Sequence, residues 1–307
     1  MRNGFRLLAL AAALLAAAAV QAGAQSYPSK PITLLVPAAA GGPTDTVARL
    51  IAESMGRTLG QTILVENQGG AGGTLGMGRI AKTAPDGYTI AVWHIAHATA
   101  PALYENLKYN PLDDFDHIGR ITDVPMTLVS KTALPTKTVG EIIQWMKTQN
   151  AKATYGHAGT GSASHLCALL LMDRLGIQMT GVPFRGTGPA MNDLIGGQFD
   201  VMCDQTTGTT NQIKDGKIKG YAVTTLTKVS SLPDLPTLDQ SGMKGFEVSA
   251  WHAMWAPKGL PKEVTDKLVA ALLAALKDPK VVDRFASLGT EPVAPDRKST
   301  RLNSSHT

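Results

Sequence analysis

Apolar positions along the chain follow two repeating patterns. Short apolar runs of the kind that form buried strands occur at residues 32–36, 62–65, 88–93, 126–130, 181–184, 199–203 and 218–224, with a further apolar segment at 251–255. Between them, apolar residues three and four positions apart predict helices at 45–59, 74–83, 139–148, 166–175, 189–195 and 263–276. Strands that alternate with helices predict an α/β fold with mostly parallel sheets.

Both ends of the chain fall outside this pattern. Arg2 and Arg6 precede an unbroken apolar run at residues 7–20, and the small residues Ala22-Gly23-Ala24 follow it. This arrangement predicts a signal peptide over residues 1–24 that is cleaved on export, because the run is shorter than the roughly 20 residues that cross a bilayer. We therefore expect the mature protein in the periplasm. Residues 297–307 have no apolar period, and we expect them to be a non-native or disordered tail.

Charge and cysteine content remove several functional classes. The formal charge of +5 falls to zero once the two arginines of the signal peptide and the three cations of the tail are set aside. A nucleic-acid-binding domain needs a basic face within its fold, so nucleic acid is not an expected partner. Cys167 and Cys203 are the only cysteines, and both lie in apolar runs. Export permits a disulfide between them, but we expect two buried free thiols.

Three glycine-rich loops, at residues 37–45, 66–74 and 156–165, follow predicted strands and precede predicted helices. Ligands of open α/β sheets bind at the carboxyl ends of strands, where the unpaired N–H groups of helix N-termini favour an anion. We expect Thr44 or Asp45 to cap the first of these helices and Thr74 to cap the second. Any one loop could equally be a plain turn, but the shared position of all three indicates a binding site.

Cofactor, metal and catalytic motifs are missing from these loops. None of the loops contains a Lys, which excludes a P-loop, and residues 70–75 break the dinucleotide pattern at its last position. Ser162 lacks a Gly-x-Ser-x-Gly context, and His94 and His97 have no third residue at metal-ligand spacing. We therefore predict no cofactor, metal or catalytic residue. Backbone donors gathered between two lobes, without a nucleophile and its base, favour a receptor over an enzyme.

The motifs of these loops also match a known family. They are, in order, VPAAAGGPTD (36–45), ENQGGAGG (66–73), APDGYT (84–89), GHAGTGSASHL (156–166), VPFRGTGPAMNDLIGGQFDVMCD (182–204), AVTT (222–225) and LPDLPT (232–237). Over residues 27–295 the chain resembles the substrate-binding receptors of tripartite tricarboxylate transporters, the Bug or TctC family of periplasmic solute-binding proteins. The resemblance implies the two-lobed, type II Venus-flytrap fold of periplasmic binding proteins, with strands that cross between lobes near 127–130 and 251–255. The first lobe would comprise residues 25–126 plus 251–296, and the second residues 127–250.

The resemblance further implies a small carboxylate ligand in the cleft: a di- or tricarboxylate, an amino acid or an aromatic acid. It implies a monomeric receptor that delivers this ligand to two integral-membrane transporter subunits. The residues that it assigns to the ligand are Ala38, Ala40, Gly42, Asn67, Trp93, His97, Ala158, Thr160, Gly161, Ser162 and Asp204. Asp204 would bond a polar group of the ligand or a water, or else cap a helix or support its lobe.

Two departures from the family pattern affect these expectations. The exit loop of the third strand, WHIAH (93–97), is bulkier than in relatives. We expect Trp93 in the core, but if it faces the cleft it would stack on an aromatic acid. The tail at 297–307 replaces a helix that relatives have, so we expect the native C-terminus to be missing. The sequence does not show which acid binds. Two alternative functions remain open: a ligand sensor for a signalling partner and, less favoured, a hydrolase with its active site in the cleft.

Overall fold

The computed structural model describes residues 27–293, so the predicted signal peptide and C-terminal tail lie outside the described residues. The chain begins with β1 Ile32–Val36, α1 Pro43–Leu59, β2 Ile63–Asn67, α2 Thr74–Ile80, β3 Thr89–His94, α3 Ala96–Leu103 and the long strand β4 Phe115–Ser130. It continues through α4 Val139–Gln149, β5 Thr154–His157, α5 Ala163–Leu175, β6 Thr180–Pro183, α6 Thr187–Ile195, β7 Val201–Gln205, α7 Thr206–Lys214 and β8 Lys219–Val223. It ends with β9 Ser249–Pro257, α8 Lys262–Ala275, α9 Pro279–Ser287 and β10 Glu291–Pro292.

The first lobe is a sheet with helices on both faces. Its strands β2, β1 and β3 are parallel, and β9 joins them antiparallel, between β3 and β4. Successive residues of a strand point to opposite faces. Leu34 accordingly packs in a core with Ile51 of α1 and Leu268 of α8, whereas Leu35 packs on the other face with Met77 of α2. Burial on both faces explains why these strands are continuous apolar runs.

The second lobe repeats this architecture with a smaller sheet. Strands β6, β5 and β7 are parallel, and β4 runs antiparallel to both β7 and β8. Leu128 of β4 packs with Ile142 of α4 and Leu171 of α5 on one face. Val129 packs with Leu194 of α6 on the other. No helix within residues 27–293 is long and apolar enough to cross a membrane.

The two lobes share the strand β4, which changes partners partway along its length. Up to Pro125, which pairs with Ser249, it is bonded to β9; from Met126, which pairs with Gln205, it is bonded to β7. The chain returns to the first lobe just before β9, where the N–H of Val248 donates to the carbonyl of Thr224. The predicted two-lobed fold with crossing strands is therefore confirmed, with each change of lobe a few residues before the predicted stretch.

Most predicted strands and helices are confirmed to within a few residues, but three helices were missed. Helix α3 contains Pro101, and α7 is rich in β-branched threonines, so neither has a helical apolar period. Helix α9 has clear start signals, with the Asp278 side chain accepting from the N–H of Lys280 and Pro279 in the first turn. The predicted caps on the first two helices were wrong. Glycines precede those helices instead, and Asp45 and Thr74 lie within the first turn.

The expectation of free thiols was also wrong, because Cys167 and Cys203 form a disulfide. Helix α5 packs on β7, which brings the two Cα atoms to 6.0 Å. The bridge lies within the second lobe and ties the helix that starts at the 156–165 loop to the strand that ends at Gln205. Periodicity placed both residues in buried elements but could not show that the elements face each other.

Candidate functional site

The loop between β1 and α1 is held by side chains of its own lobe. The Asp45 carboxylate accepts the N–H of Gly41 at 3.0 Å and the side-chain amide of Asn67 at 2.9 Å. Asn67 also donates to the carbonyl of Ala38, and Arg49 binds Asp45 from the solvent side at 3.0 Å. Burial alone would raise the pKa of Asp45, but these hydrogen bonds outweigh it and hold the pKa below its usual value. Asp45 therefore stays ionised and is already neutralised by its own lobe.

The loop between β5 and α5 is fixed in a similar way. The Ser164 hydroxyl accepts the N–H of Ala158 at 3.0 Å, and the Ser162 hydroxyl caps α5 by accepting the N–H of His165 at 3.3 Å. The two hydroxyls are 3.1 Å apart, and Nδ1 of His165 accepts the N–H of Gly161. These polar side chains are thus used to shape the loop. What the loop presents to the other lobe is chiefly backbone and the N-terminus of α5.

Hydrogen bonds join the two lobes at the rim of the cleft. The N–H of Ala39 in the first lobe donates to the carbonyl of Arg185 in the second at 3.1 Å. The Tyr104 hydroxyl donates to the carbonyl of Thr160 at 2.8 Å. Both bonds cross from one lobe to the other, so the structure shows the lobes closed on each other.

Glycines make this close approach possible. A Cβ atom on Gly188 of α6 would lie 2.4 Å from the carbonyl oxygen of Ala40, where real contacts of this kind essentially never fall below 3.0 Å. A Cβ on Gly72 would lie 2.1 Å from the carbonyl oxygen of Thr160. Backbone therefore meets backbone where the lobes touch, which explains part of the glycine content of these loops.

A small cavity lies between the two lobes. Its volume is about 20 Å³. Its walls are formed by Ala38, Gly42, Pro43, Thr44, Asp45, Trp93 and His94 of the first lobe and by Ala158, Ser162, Ala163, Ser164, Thr187 and Gln205 of the second. A larger cleft, of about 800 Å³, runs along α1 and β2 on the outside of the first lobe and includes none of the predicted site residues.

The one charged side chain among the described lining residues is Asp45, which is paired with Arg49, so the positive potential of this cavity comes from backbone. Helices α1, α5 and α6 all begin at its walls, after Gly42, Ser162 and Gly186 respectively. The first N–H groups of a helix have no partner within it and carry a partial positive charge. No Lys or Arg stands among the lining residues that the structure describes. The arrangement suits a small anion held by dipoles.

The structure brings only part of the predicted site together. Ala38, Gly42, Trp93, Ala158 and Ser162 line the cavity. Ala40 and Thr160 instead lie at the rim contacts described above, and Gly161 lies beside the second of them. Asn67 stands behind the first loop, which it supports through Asp45 and Ala38.

His97 lies in the core of the first lobe rather than in the cavity. Its ring is 4.7 Å from the ring of Phe115 and 4.4 Å from that of Trp255, and it stacks on Tyr109. Burial lowers the pKa of His97 to about 3, so the ring is neutral at physiological pH. Helix α3, which the sequence analysis missed, turns this side chain away from the cleft.

Asp204 is buried directly behind the cavity, with 1% of its surface exposed. It neighbours Gln205 on β7, and because strand residues alternate, Gln205 reaches the cavity whereas Asp204 faces Gly208 of α7. Neither carboxylate oxygen has a side-chain hydrogen-bond partner within residues 27–293. Burial raises the pKa of Asp204 to about 7. Helix α7 is not capped by this side chain, since its N-cap is Gln205.

Trp93 belongs to both the core and the cavity wall. It is 3% exposed and packs with Met77 and Ala96, and Gly73 lies against the edge of its ring. His94 stacks on it with ring centroids 3.9 Å apart. Because His94 already covers one face, Trp93 offers little free surface for stacking on a ligand ring.

Sequence reasoning missed several residues that line the cavity, chiefly His94, Thr44, Thr187 and Gln205. Their common signal is position: each stands at the carboxyl end of a strand or at the start of a helix. His94 ends β3, and Gln205 ends β7. No group of three or more His, Cys, Asp or Glu side chains in the described part of the chain is placed to hold a metal ion.

Comparison with known proteins gives consistent relatives in sequence and in structure. The family model described as "Tripartite tricarboxylate transporter family receptor" matches residues 47–304. A protein of Agrobacterium vitis, described as "UPF0065 protein in the TAR-I ttuE-ttuC' intergenic region", is 56% identical over 271 residues, which cover 88% of this chain and 78% of that protein. The solved structure of periplasmic binding protein BugD is 53% identical, with a TM-score of 0.85 over 87% of this chain and 89% of that one. The structure of MatC from Rhodopseudomonas palustris with bound malate is 41% identical, with a TM-score of 0.84 over 88% and 92% of the two chains.

Proposed function

Because this chain belongs to the family of tripartite tricarboxylate transporter receptors, we propose that it captures a small carboxylate between its lobes and delivers it to the membrane subunits of such a transporter. The family is one of periplasmic solute-binding proteins. The backbone N–H groups at the starts of α1, α5 and α6 would donate hydrogen bonds to the carboxylate. Residues 25–126 plus 251–296 would move as one body and 127–250 as the other.

One observation carries this proposal: three helix N-termini, from both lobes, meet at one small cavity whose described walls hold no cationic side chain. A carboxylate carries two oxygens that can accept several N–H bonds at once. Since the donors come from both lobes, the full set is assembled only when the lobes close. A ligand that bonds to both sets therefore favours the closed form by the affinity it gains there.

The route to the transporter follows from the same family membership. The signal peptide over residues 1–24 would take the chain to the periplasm, where a monomeric receptor would carry the acid to two integral-membrane subunits. A sensor that passes ligand occupancy to a signalling partner is the alternative. Affinity capture from membranes with the purified closed receptor separates the two, since transport predicts the integral-membrane subunits and sensing predicts a signalling protein.

The decisive experiment is removal of one backbone donor without disturbing its helix. Ala163 is the first residue of α5 and lines the cavity, so its N–H has no partner within the helix. Proline is tolerated at a first helical position, and Ser162 before it has the extended conformation (φ −63°, ψ 160°) that proline requires of its predecessor. Ala163→Pro therefore deletes this N–H without breaking the helix, and it also places the two additional ring carbons at the cavity wall.

We expect Ala163→Pro to weaken carboxylate binding in calorimetry by about 10- to 150-fold, since a hydrogen bond to a charged group contributes about 1.5–3 kcal/mol. Its ligand-free melting temperature should stay near that of the parent. Lys262→Pro is the matched control, because Lys262 is the exposed first residue of α8, away from the cavity. If no carboxylate in a thermal-shift panel of aliphatic, amino and aromatic acids stabilises the parent protein, the proposed function is wrong.

A further inference from the structure

The disulfide between Cys167 and Cys203 lies a short distance behind the cavity wall. Cys167 is four residues after Ala163, the first residue of α5, and Cys203 is two residues before Gln205, the last residue of β7. A helix rises about 1.5 Å per residue and a strand about 3.3 Å, so each cysteine stands roughly 6–7 Å along its element from a residue that lines the cavity. The bond therefore links two parts of the second lobe's wall at about the same depth.

The hydrogen bonds at the start of α5 do not make this link. Within the described part of the chain, the side chains of Ser162, Ser164 and His165 bond only to one another and to N–H groups of residues 158–165. These bonds give the turn its shape. They do not fix where the turn stands relative to β7, because none of them reaches that strand.

Apolar packing is also weaker at this end of α5 than at the other. Leu171, in the second half of the helix, packs in the large core of the second lobe. Ala163 and Cys167 pack instead in a small cluster with Cys203 and Met126. Small side chains make few contacts, so their packing alone gives little resistance to a displacement of the helix start. The covalent bond is therefore the strongest link between the start of α5 and the end of β7.

The position of this helix start matters because its contribution to the site is backbone. The N–H group of Ala163 points along the helix axis and cannot be re-aimed by a change of rotamer. Donors that converge on one ligand group have to be held within about 0.5 Å of the productive geometry. A site that is already ordered before the ligand arrives binds more tightly, because less ordering has to occur on binding.

We propose that the Cys167–Cys203 disulfide is a positioning element of the binding site, which raises ligand affinity by holding the start of α5 against the end of β7. The inference rests on the proposed function and adds a second role to a bond that also stabilises the fold. Reduction takes up two electrons and two protons and leaves two separate thiols, which no longer hold the two elements together. The oxidised receptor therefore binds its acid more tightly than the reduced receptor.

The test measures affinity by titration calorimetry with the full mature chain as oxidised parent, reduced parent and Cys167→Ala/Cys203→Ala. The reduced parent is refolded and kept in dithiothreitol, which supplies the electrons and becomes a cyclic disulfide. It retains both sulfur atoms, so the packing volume is unchanged. The probes are succinate, L-malate, L-aspartate and benzoate, and the acid that binds the oxidised parent most tightly is used throughout. Well below every melting temperature, we expect both forms without the bond to bind about 5- to 150-fold more weakly.

A second measurement locates the effect. Hydrogen exchange followed by mass spectrometry should be faster over residues 162–170 in the ligand-free reduced parent than in the oxidised parent. This segment includes the N–H of Leu166, which donates to the carbonyl of Ser162 at 2.9 Å in the first turn of α5. Exchange over α4, which contributes no residue to the cavity walls, should stay the same.

Ile142→Ala is the control for lost stability. Ile142 lies in α4 and is fully buried in the core of the second lobe. Its truncation should lower the melting temperature, as loss of the disulfide does, but leave the dissociation constant within about two-fold of the parent value.

Parent-like affinity in both forms without the bond would overturn the inference and leave carboxylate binding intact, and so would an equal loss of affinity in Ile142→Ala. If only one of the two forms folds, that form decides. Failure of both to fold would also overturn the inference, because the bond would then be needed for folding itself. If none of the four acids binds the oxidised parent, the proposed function itself is contradicted.

Discussion

Replacing Gly188 by Ala should block closure of the lobes without harming either lobe. Gly188 lies in the first turn of α6, and the nearest atoms to an added Cβ are the Ala40 oxygen at 2.4 Å and the Gly41 and Gly42 backbone at 3.2 and 3.3 Å. All three belong to the opposite lobe. In the open form the added methyl group meets none of them, and alanine is a better helix former than glycine.

The size of the effect follows from these distances. An ordinary contact begins at 3.4 Å, so the Ala40 carbonyl must retreat by about 1 Å before a Cβ fits. That movement pulls on the neighbouring bond from the Ala39 N–H to the Arg185 carbonyl. Overpacking of this kind costs about 1–3 kcal/mol, and here it destabilises only the closed form. Because only the closed form has the full set of donors, the apparent Kd should rise about 5- to 150-fold.

The assay pairs calorimetry with small-angle scattering. Gly188→Ala should bind its acid more weakly, show a smaller ligand-induced decrease in radius of gyration, and melt without ligand at or above the parent temperature. Gly140→Ala is the matched control: Gly140 also lies in the first turn of a helix, α4, and no atom is within 4 Å of its added Cβ. Parent-like affinity in Gly188→Ala would refute the view that binding requires the closed contact between α6 and the loop after β1.

Two further predictions concern stability. Removing the disulfide in Cys167→Ala/Cys203→Ala should lower the free energy of unfolding by up to about 4 kcal/mol, the chain-entropy value for a separation of 36 residues, measured by denaturant unfolding; a loss below 1 kcal/mol would contradict it. The pKa of Asp204 is about 7 in the native state, above the 3.8 of an unperturbed carboxyl, so the native state holds a proton that the unfolded state releases. The free energy of unfolding should therefore fall as the pH rises from about 4 to 7. Asp204→Asn should therefore raise the unfolding free energy at pH 8 more than at pH 5, and an equal effect at both pH values would show that Asp204 is not protonated in the native state.

Strands and helices could be predicted from the sequence where their apolar residues follow one clear period. They were missed where contacts distant in sequence determine the structure. Strand β1 and helix α1 follow from apolar spacing alone. Strand β4 was predicted only from Met126 on, because its first half contains the polar residues of a strand paired with β9. Helix α7 depends on contacts that no local pattern records, such as the bond from the Thr206 hydroxyl to the carbonyl of Gly289.

The same distinction between local sequence signals and long-range packing applies to the residues of the candidate site. The glycine-rich loops could be predicted because they leave a local signature, and the family resemblance assigned Ala38, Gly42 and Ser162, which line the cavity, within two of those loops. Gln205 could not be predicted, because the alternation of side chains on β7 decides whether it or Asp204 reaches the cavity. Gln205 lies on the same face of the strand as Cys203, whose partner the sequence did not reveal. His97 was assigned to the ligand on motif position, but helix α3 directs it into the core.

The described walls of the cavity contain no Lys or Arg side chain, and this affects how such a receptor could release a bound carboxylate. A Lys or Arg in one lobe would keep its attraction for a carboxylate after the lobes separate. Backbone dipoles act over a shorter range and are strong only when water is excluded and several point at one oxygen. Here the start of α1 belongs to one lobe and the starts of α5 and α6 belong to the other. Opening the lobes would therefore separate the donors that we propose for the carboxylate into two sets. A partner protein that held the lobes apart would lower the affinity for the acid without contacting the acid itself. A receptor that passes its ligand to a membrane protein would need this coupling between partner binding and ligand release.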